Sequence, residues 1–223
     1  MKKKIEKILQ FVQKPARYCG GELNSVIKDP KKVDLRYAFC FPDLYEIGMS
    51  HLGMKILYSL VNSREDAWCE RVFAPDADME EQMRKNDVKL FALESEDDVK
   101  EFDIVGFTLM YELCYTNVLN MLDLAGIPLL SKDRTDLTSI IACGGPCACN
   151  PEPIADFVDL VFLGDGEEST MQVLDLLKEC KKNGNSKHEF LLKAKDIRGV
   201  YVPSFYEDTY HDDGTLKELK PLF

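Results

Sequence analysis

The feature that most constrains this chain is a repeated alternation. Short apolar runs stopped by glycine or proline are followed by amphipathic stretches of helical spacing. From residue 102 onward the order is FDIVGFTLM (102–110), YELCYTNVLNMLDLAG (111–126), TSIIACGG (138–145), DLVFLGDG (159–166) and EESTMQVLDLLKECKKNG (167–184). Apolar runs of strand length suit parallel strands buried on both faces, with the helices as crossovers. The same alternation begins upstream. VDLRYAFCFP (33–42) reads as a strand closed by Pro42, and MSHLGMKILYSLVNS (49–63) carries Leu52, Ile56, Leu57 and Leu60 at helical spacing. WCERVFAP (68–75) reads as a second strand. Asp76 is placed to cap the helix ADMEEQMRKN. VKLFALES (88–95) is a short strand or an extended connection. The pattern predicts an α/β fold: a doubly wound, mainly parallel sheet with helices on both faces.

Outside this block the sequence is less regular. MKKKIEKILQFVQ predicts a short amphipathic helix; Glu6 interrupts it and no small-residue cleavage site follows, so it does not read as a signal peptide. No apolar run approaches the ~20 residues of a membrane span. NGNSKHE (183–189) is a polar break, after which GVYVPSFYE and TLKELKPLF flank the turn YHDDG and predict a C-terminal β-hairpin extension. The expected division is a helix and extended lead-in over 1–32, the α/β domain over 33–184, and a linker with hairpin over 185–223. A net charge of −11 argues against broad nucleic-acid binding, which needs clustered cations. Eight cysteines, several inside apolar runs such as Cys40 and Cys143, with no secretory signal, point to reduced thiols and a cytoplasmic location.

Doubly wound sheets bind ligands beyond the carboxyl ends of their strands. Four loops belong there: FPDLYEIGMSHLG, TLMYELCYTN, CGGPCACNPEP and GDGEEST. The third packs Cys143, Cys147 and Cys149 into seven residues. It reads as a glycine turn that lets backbone approach a ligand, and the alternative is an iron–sulfur or zinc site. Its spacing is C-x-x-x-C-x-C, with Asn150 where a third thiolate of C-x-x-x-C-x-x-C would fall. Gly164, Asp165 and Gly166 form a strand–turn–helix junction whose helix start can bind a ligand or be capped by its own carboxylates. At the first junction Ser50 is a candidate cap and His51 is the histidine nearest the crevice. No phosphate-binding G-x-x-x-x-G-K-[ST] loop, G-x-S-x-G elbow or H-E-x-x-H occurs, so nucleophilic or zinc-dependent hydrolysis has no support.

Taken together, FPDLYEIGMSHLGMKILY, FDIVGFTLMYELCYTNVLNMLDLAGIPL, IACGGPCACNPEPIADFVDLVFLGDGEES and GVYVPSFY resemble the N-terminal region of cobalamin-binding-domain radical S-adenosylmethionine proteins. The resemblance covers most of residues 15–207. It implies a flavodoxin-like or Rossmann-like domain that covers a radical domain. There, a C-x-x-x-C-x-x-C loop binds a [4Fe–4S] cluster and S-adenosylmethionine. This chain stops before any such loop, which implies a truncated chain or one half of a split protein, with no turnover of its own. The partner expected is that radical domain, in cis or in trans, and the cofactor implied is cobalamin. The family's D-x-H-x-x-G frame survives as Asp43-Leu44-Tyr45-Glu46-Ile47-Gly48, with Tyr45 in place of the axial histidine. A phenol of pKa ~10 is a poor cobalt ligand at neutral pH. Cobalamin would bind without that lower ligand, or the fold has lost the cofactor. The resemblance implies a cofactor site of Asp43, Tyr45, Met49, Ser50, His51, Gly144, Gly145, Pro146, Gly164, Asp165 and Gly166, with no catalytic residue or metal ligand in this chain. The alternative function is a cofactor-free interaction module that docks a radical domain or a macromolecular substrate on the same rim.

Overall fold

The structure is a computed structural model and describes residues 2–222. Strands β1 (Leu35–Phe41), β2 (Ala67–Phe73), β3 (Ile104–Thr108), β4 (Ile140–Gly144) and β5 (Leu160–Phe162) form a parallel sheet in the order β2-β1-β3-β4-β5. Strand β6 (Val200–Tyr201) pairs antiparallel with β5 and completes the six-stranded sheet. This is the flavodoxin-like order, and it reverses direction between β1 and β3.

Alternate residues of each strand feed opposite faces of the sheet. On β1, Ala38 and Cys40 join one apolar cluster, whereas Leu35, Tyr37, Phe39 and Phe41 join the other. The first cluster is covered by α1 (Lys2–Leu9), α4 (Ala77–Asn86) and α5 (Tyr115–Ala125), through Ile5, Ile8, Met79, Met83, Val118 and Met121. The second is covered by α3 (Leu52–Asn62), α6 (Gly166–Asn183) and α7 (Lys187–Ala194), through Met54, Val61, Val173, Leu177 and Phe190. The doubly wound, mainly parallel architecture expected from the alternation is therefore present. So is the C-terminal hairpin, a separate two-stranded sheet of β7 (Tyr206–Tyr210) and β8 (Leu216–Pro221). Among the described residues no helix is long and apolar enough to cross a membrane.

One open alternative is resolved and two local expectations differ. VKLFALES forms no strand of the sheet; it is an extended connection along the edge of β2, held by the Leu93 N–H donating to the Arg71 carbonyl at 2.8 Å. The polar break and the supposed linker after residue 184 contain α7 and β6. Ser186 and Glu189 cap α7 reciprocally: the Ser186 hydroxyl accepts from the Glu189 N–H, and the Glu189 carboxylate accepts from the Ser186 N–H. GVYVPSFYE does not form one hairpin arm. It supplies β6, then a 3-10 turn at Pro203–Phe205, and only then β7.

One buried carboxylate ties the amino-terminal edge together. Asp159, just before β5, accepts from Arg134 Nη2 at 3.0 Å, Lys187 Nζ at 2.7 Å, the Ile141 N–H at 2.7 Å and the Ser131 hydroxyl. All of these side chains except that of Ser131 are buried. Removing the carboxylate strands two buried cations. Asp159→Ala should therefore lose about 3–5 kcal/mol of unfolding free energy in urea denaturation. A loss below about 1 kcal/mol, the size of an exposed pair, would contradict this role for the cluster.

Candidate functional site

The carboxyl ends of β3 and β4 are stitched together by backbone. The Leu109 N–H donates to the Gly144 carbonyl at 2.7 Å, and the Cys147 N–H donates to the Leu109 carbonyl at 3.0 Å. Gly145 sits in this seam with φ +97°, and a Cβ there would lie 2.9 Å from both the Leu109 carbonyl oxygen and Thr108 Oγ1. Only glycine meets both demands. The chain then turns through the 3-10 segment Pro146–Cys149 and leaves the rim.

Facing this seam is the junction between α2 (Tyr45–Ser50) and α3. The residue between them is His51, in extended conformation, and its Nδ1 accepts the Met54 N–H at 3.2 Å. An accepting Nδ1 is the unprotonated nitrogen of a neutral imidazole, which leaves the proton on Nε2. The third wall is the start of α6. Asp165 occupies the N-cap position but its side chain caps nothing, so first-turn N–H groups remain unspent. Glu167 and Glu168 complement the helix dipole there, and with Asp165 they disfavour an anion.

Between these walls and the second face of the sheet lies a cleft of about 490 Å³. Its sheet side is formed by Tyr37, Phe39, Ala142 and Phe162, which belong to the second apolar cluster, and its mouth by the Gly144–Pro146 and Gly164–Glu167 backbones. Both the volume and a lining of aromatic and aliphatic side chains, glycine backbone and a few polar groups suit a small-molecule site.

Seven of the eleven residues singled out from the sequence line this one cleft: His51, Gly144, Gly145, Pro146, Gly164, Asp165 and Gly166. The other four lie outside it. Asp43 accepts from the Tyr111 hydroxyl at 2.8 Å. Tyr45 packs its ring edge-on against Phe73, with centroids 5.3 Å apart. The Met49 sulfur meets Arg71 Nη1 at 3.3 Å. Ser50 does not cap α3; its hydroxyl donates back to the Ile47 carbonyl at 2.7 Å and His51 caps instead. Sequence reasoning missed Tyr37, Thr108 and Thr170 as lining residues. Each sits at a position whose pattern signals only burial.

A family described as radical SAM proteins, N-terminal, matches this chain over residues 53–203. The chain belongs to that family. The match runs from α3 to the turn before β7 and includes both glycine loops of the cleft mouth. An uncharacterized protein of Methanocaldococcus jannaschii is 26% identical over 175 residues, which is 78% of this chain and 33% of that relative. The chain thus spans a third of the length of the curated relative it matches. No solved structure matches it.

In this radical SAM N-terminal chain the thiols of the third loop diverge. Cys143 is buried on β4, Cys147 packs against the first apolar cluster, and the exposed Cys149 donates its S–H to the Pro146 carbonyl at 3.2 Å. Among the described residues no three His, Cys, Asp or Glu side chains come together as a metal site. Burial pushes the Cys40, Cys69 and Cys143 thiols well above their ordinary range, so little reactive thiolate forms. Alkylation of the native protein with iodoacetamide should modify Cys19 and Cys149 first. Cys143 should react at least about tenfold more slowly, through local unfolding only, as read by mass spectrometry of peptides. Equal rates at Cys143 and Cys149 would mean that the seam is open.

Proposed function

We propose that this chain is the cobalamin-binding-like accessory domain of a radical S-adenosylmethionine enzyme. It would cover the cluster site of a radical domain carried by another part of the same protein or by a partner chain. The observation that carries the reading is the cleft itself. It lies at the carboxyl end of a flavodoxin-like sheet, its mouth is glycine backbone, and it falls within the matched family region.

The residues present fit cobalamin in one respect and depart in another. The aromatic sheet side suits the base of a nucleotide tail, held by the Gly144–Pro146 and Gly164–Gly166 backbones, whereas Asp165 and Glu167 at the mouth oppose the tail's phosphodiester. Tyr45 offers no lower ligand to the cleft, because its ring is spent on Phe73. Cobalamin held there would supply a cobalt centre able to carry an alkyl group. This chain's own residues would bind the tail, exclude water from it and present the corrin to the radical domain.

A second reading is supported by the surface around the mouth. Ile47 on α2, Leu52 at the start of α3, Leu113 in the 3-10 turn after β3 and Leu163 just after β5 are exposed. In that reading the domain is a cofactor-free module that docks a radical domain or a macromolecular substrate.

Hydroxocobalamin titration separates the two. The cofactor reading predicts a saturable shift of corrin absorbance, and Tyr45→Phe should leave the bound spectrum unchanged. Gly166→Leu would place a side chain toward Leu57 and Thr170 at the cleft mouth while improving helix propensity. It should weaken binding by more than about tenfold with no loss of thermal stability. No shift at millimolar ligand would discard the cofactor reading and leave the docking module.

A further inference from the structure

The C-terminal hairpin is amphipathic, and its apolar face is uncovered. In an antiparallel pair, directly opposed residues share a face. Tyr206 opposes Pro221, Asp208 opposes Leu219 and, after a bulge, Tyr210 opposes Leu216; these six residues form one face. On the other face Glu207 opposes Lys220 and Thr209 opposes Glu218, and all four are polar. Tyr210 is 57% exposed and Leu216 53%. The hairpin is anchored at its base, where the Tyr206 ring meets Tyr201 with centroids 4.9 Å apart and the Leu222 N–H donates to the Phe205 carbonyl at 2.9 Å. A two-stranded ribbon alone is marginally stable in water, so an exposed apolar face on one points to a further layer.

That face borders a groove of about 600 Å³ beside the Asp159 cluster. Tyr206, Asp208 and Leu219 form the hairpin bank, and Leu130, Ala155 and Leu191 are the apolar part of the domain bank. The charges of the groove are lopsided. Lys187 and Arg134 line it, but the Lys187 ammonium and the Arg134 Nη groups are spent inward on Asp159 and backbone carbonyls. The carboxylates are not spent on cations. Glu152 accepts from the Tyr201 hydroxyl at 2.6 Å, and the Tyr210 hydroxyl hydrogen-bonds Asp208. Neither of these carboxylates, nor that of Asp156, makes an ion pair among the described residues. Against the three the groove offers the exposed Lys132.

We propose that this groove docks a basic, amphipathic peptide segment of a partner protein. Tyr206, Asp208 and Tyr210 alternate along one face of β7, so an arginine seated over Asp208 meets a ring on either side. It gains a charge-assisted hydrogen bond from the carboxylate and cation–π contact from the rings. Aliphatic side chains of the same segment cover Leu216 and Leu219. The unpaired carboxylates repel the phosphates of a nucleic acid or a lipid surface. A second hairpin laid on this one would bring six residues a side, against the ~20–30 of a stable interface. A segment lying in the groove meets both banks. The proposal stands apart from the cofactor reading, because the groove and the cleft share no lining residue.

Fluorescence anisotropy of the whole chain with three labelled peptides of about twelve residues tests this. The probes alternate leucine with arginine, serine with arginine, and leucine with glutamate. At physiological ionic strength the leucine–arginine peptide should bind at least about tenfold tighter than either of the others. Asp208→Asn and Leu216→Ser, both at exposed positions, should each weaken it by roughly 3- to 10-fold, with thermal unfolding confirming that the variants fold. Glu179→Gln, on the exposed surface of α6, should leave it unchanged. Equal binding of the serine–arginine peptide, or an equal loss in Glu179→Gln, would reduce the effect to net charge and overturn the proposal. Unchanged affinity in Asp208→Asn and Leu216→Ser, or no binding of the leucine–arginine peptide at millimolar protein, would also overturn it. So would sedimentation of the chain as a dimer that Leu216→Ser disperses, which would assign the face to a second copy.

Discussion

Gly145 holds the carboxyl ends of β3 and β4 at a separation that leaves no room for a side chain. Its backbone geometry keeps the Leu109–Gly144 and Cys147–Leu109 hydrogen bonds in place, and those bonds shape the mouth of the cleft. A second close approach sets the cleft's sheet side, where the Tyr37 hydroxyl occupies the space a side chain at Gly106 would fill. Both are close approaches at β3 that a glycine permits. The cleft is therefore a property of the sheet's own packing, and the helices α3 and α6 only wall it.

The position of the cleft within the fold follows from what fills its neighbours. In this strand order the natural crevice is the switch point between β1 and β3. Here the loops after those strands are tied across it: the Tyr111 hydroxyl donates to Asp43 at 2.8 Å, and Asn117 Nδ2 donates to the Pro42 carbonyl at 2.9 Å. The open volume lies below this tie, over β1, β3, β4 and β5 and beneath the start of α6. Capping chemistry reinforces the asymmetry. Helix α3 spends the Nδ1 acceptor of His51 on its own first turn, whereas α6 leaves its first turn uncapped.

The sheet and its rim were legible because the signals were local. FDIVGFTLM and TSIIACGG carry apolar positions on both faces, and the glycine stops of TSIIACGG and DLVFLGDG mark where the chain must turn; seven of eleven candidate residues fall in one cleft. Helix α7 carried an equally local signal in Ser186 and Glu189, hidden by the polar residues around it. Tyr45 and Tyr37 were not legible. Tyr45 keeps the sequence frame of a ligand, but the ring's direction is set by Phe73 on another strand. Tyr37 looks like any inward residue of β1 until Gly106, whose missing side chain makes room for its hydroxyl, is seen beside it.

The central claim is that a ligand enters over β1, β3, β4 and β5 and contacts the glycine loops of the mouth. An amide chemical-shift map of the labelled protein, recorded as hydroxocobalamin is added, addresses it most directly. The largest changes should fall at His51–Gly53, Gly144–Ala148 and Gly164–Thr170, with Tyr37 and Gly106 following. Changes confined to the β7–β8 hairpin or the α7 surface, or no changes at saturating ligand, would contradict it.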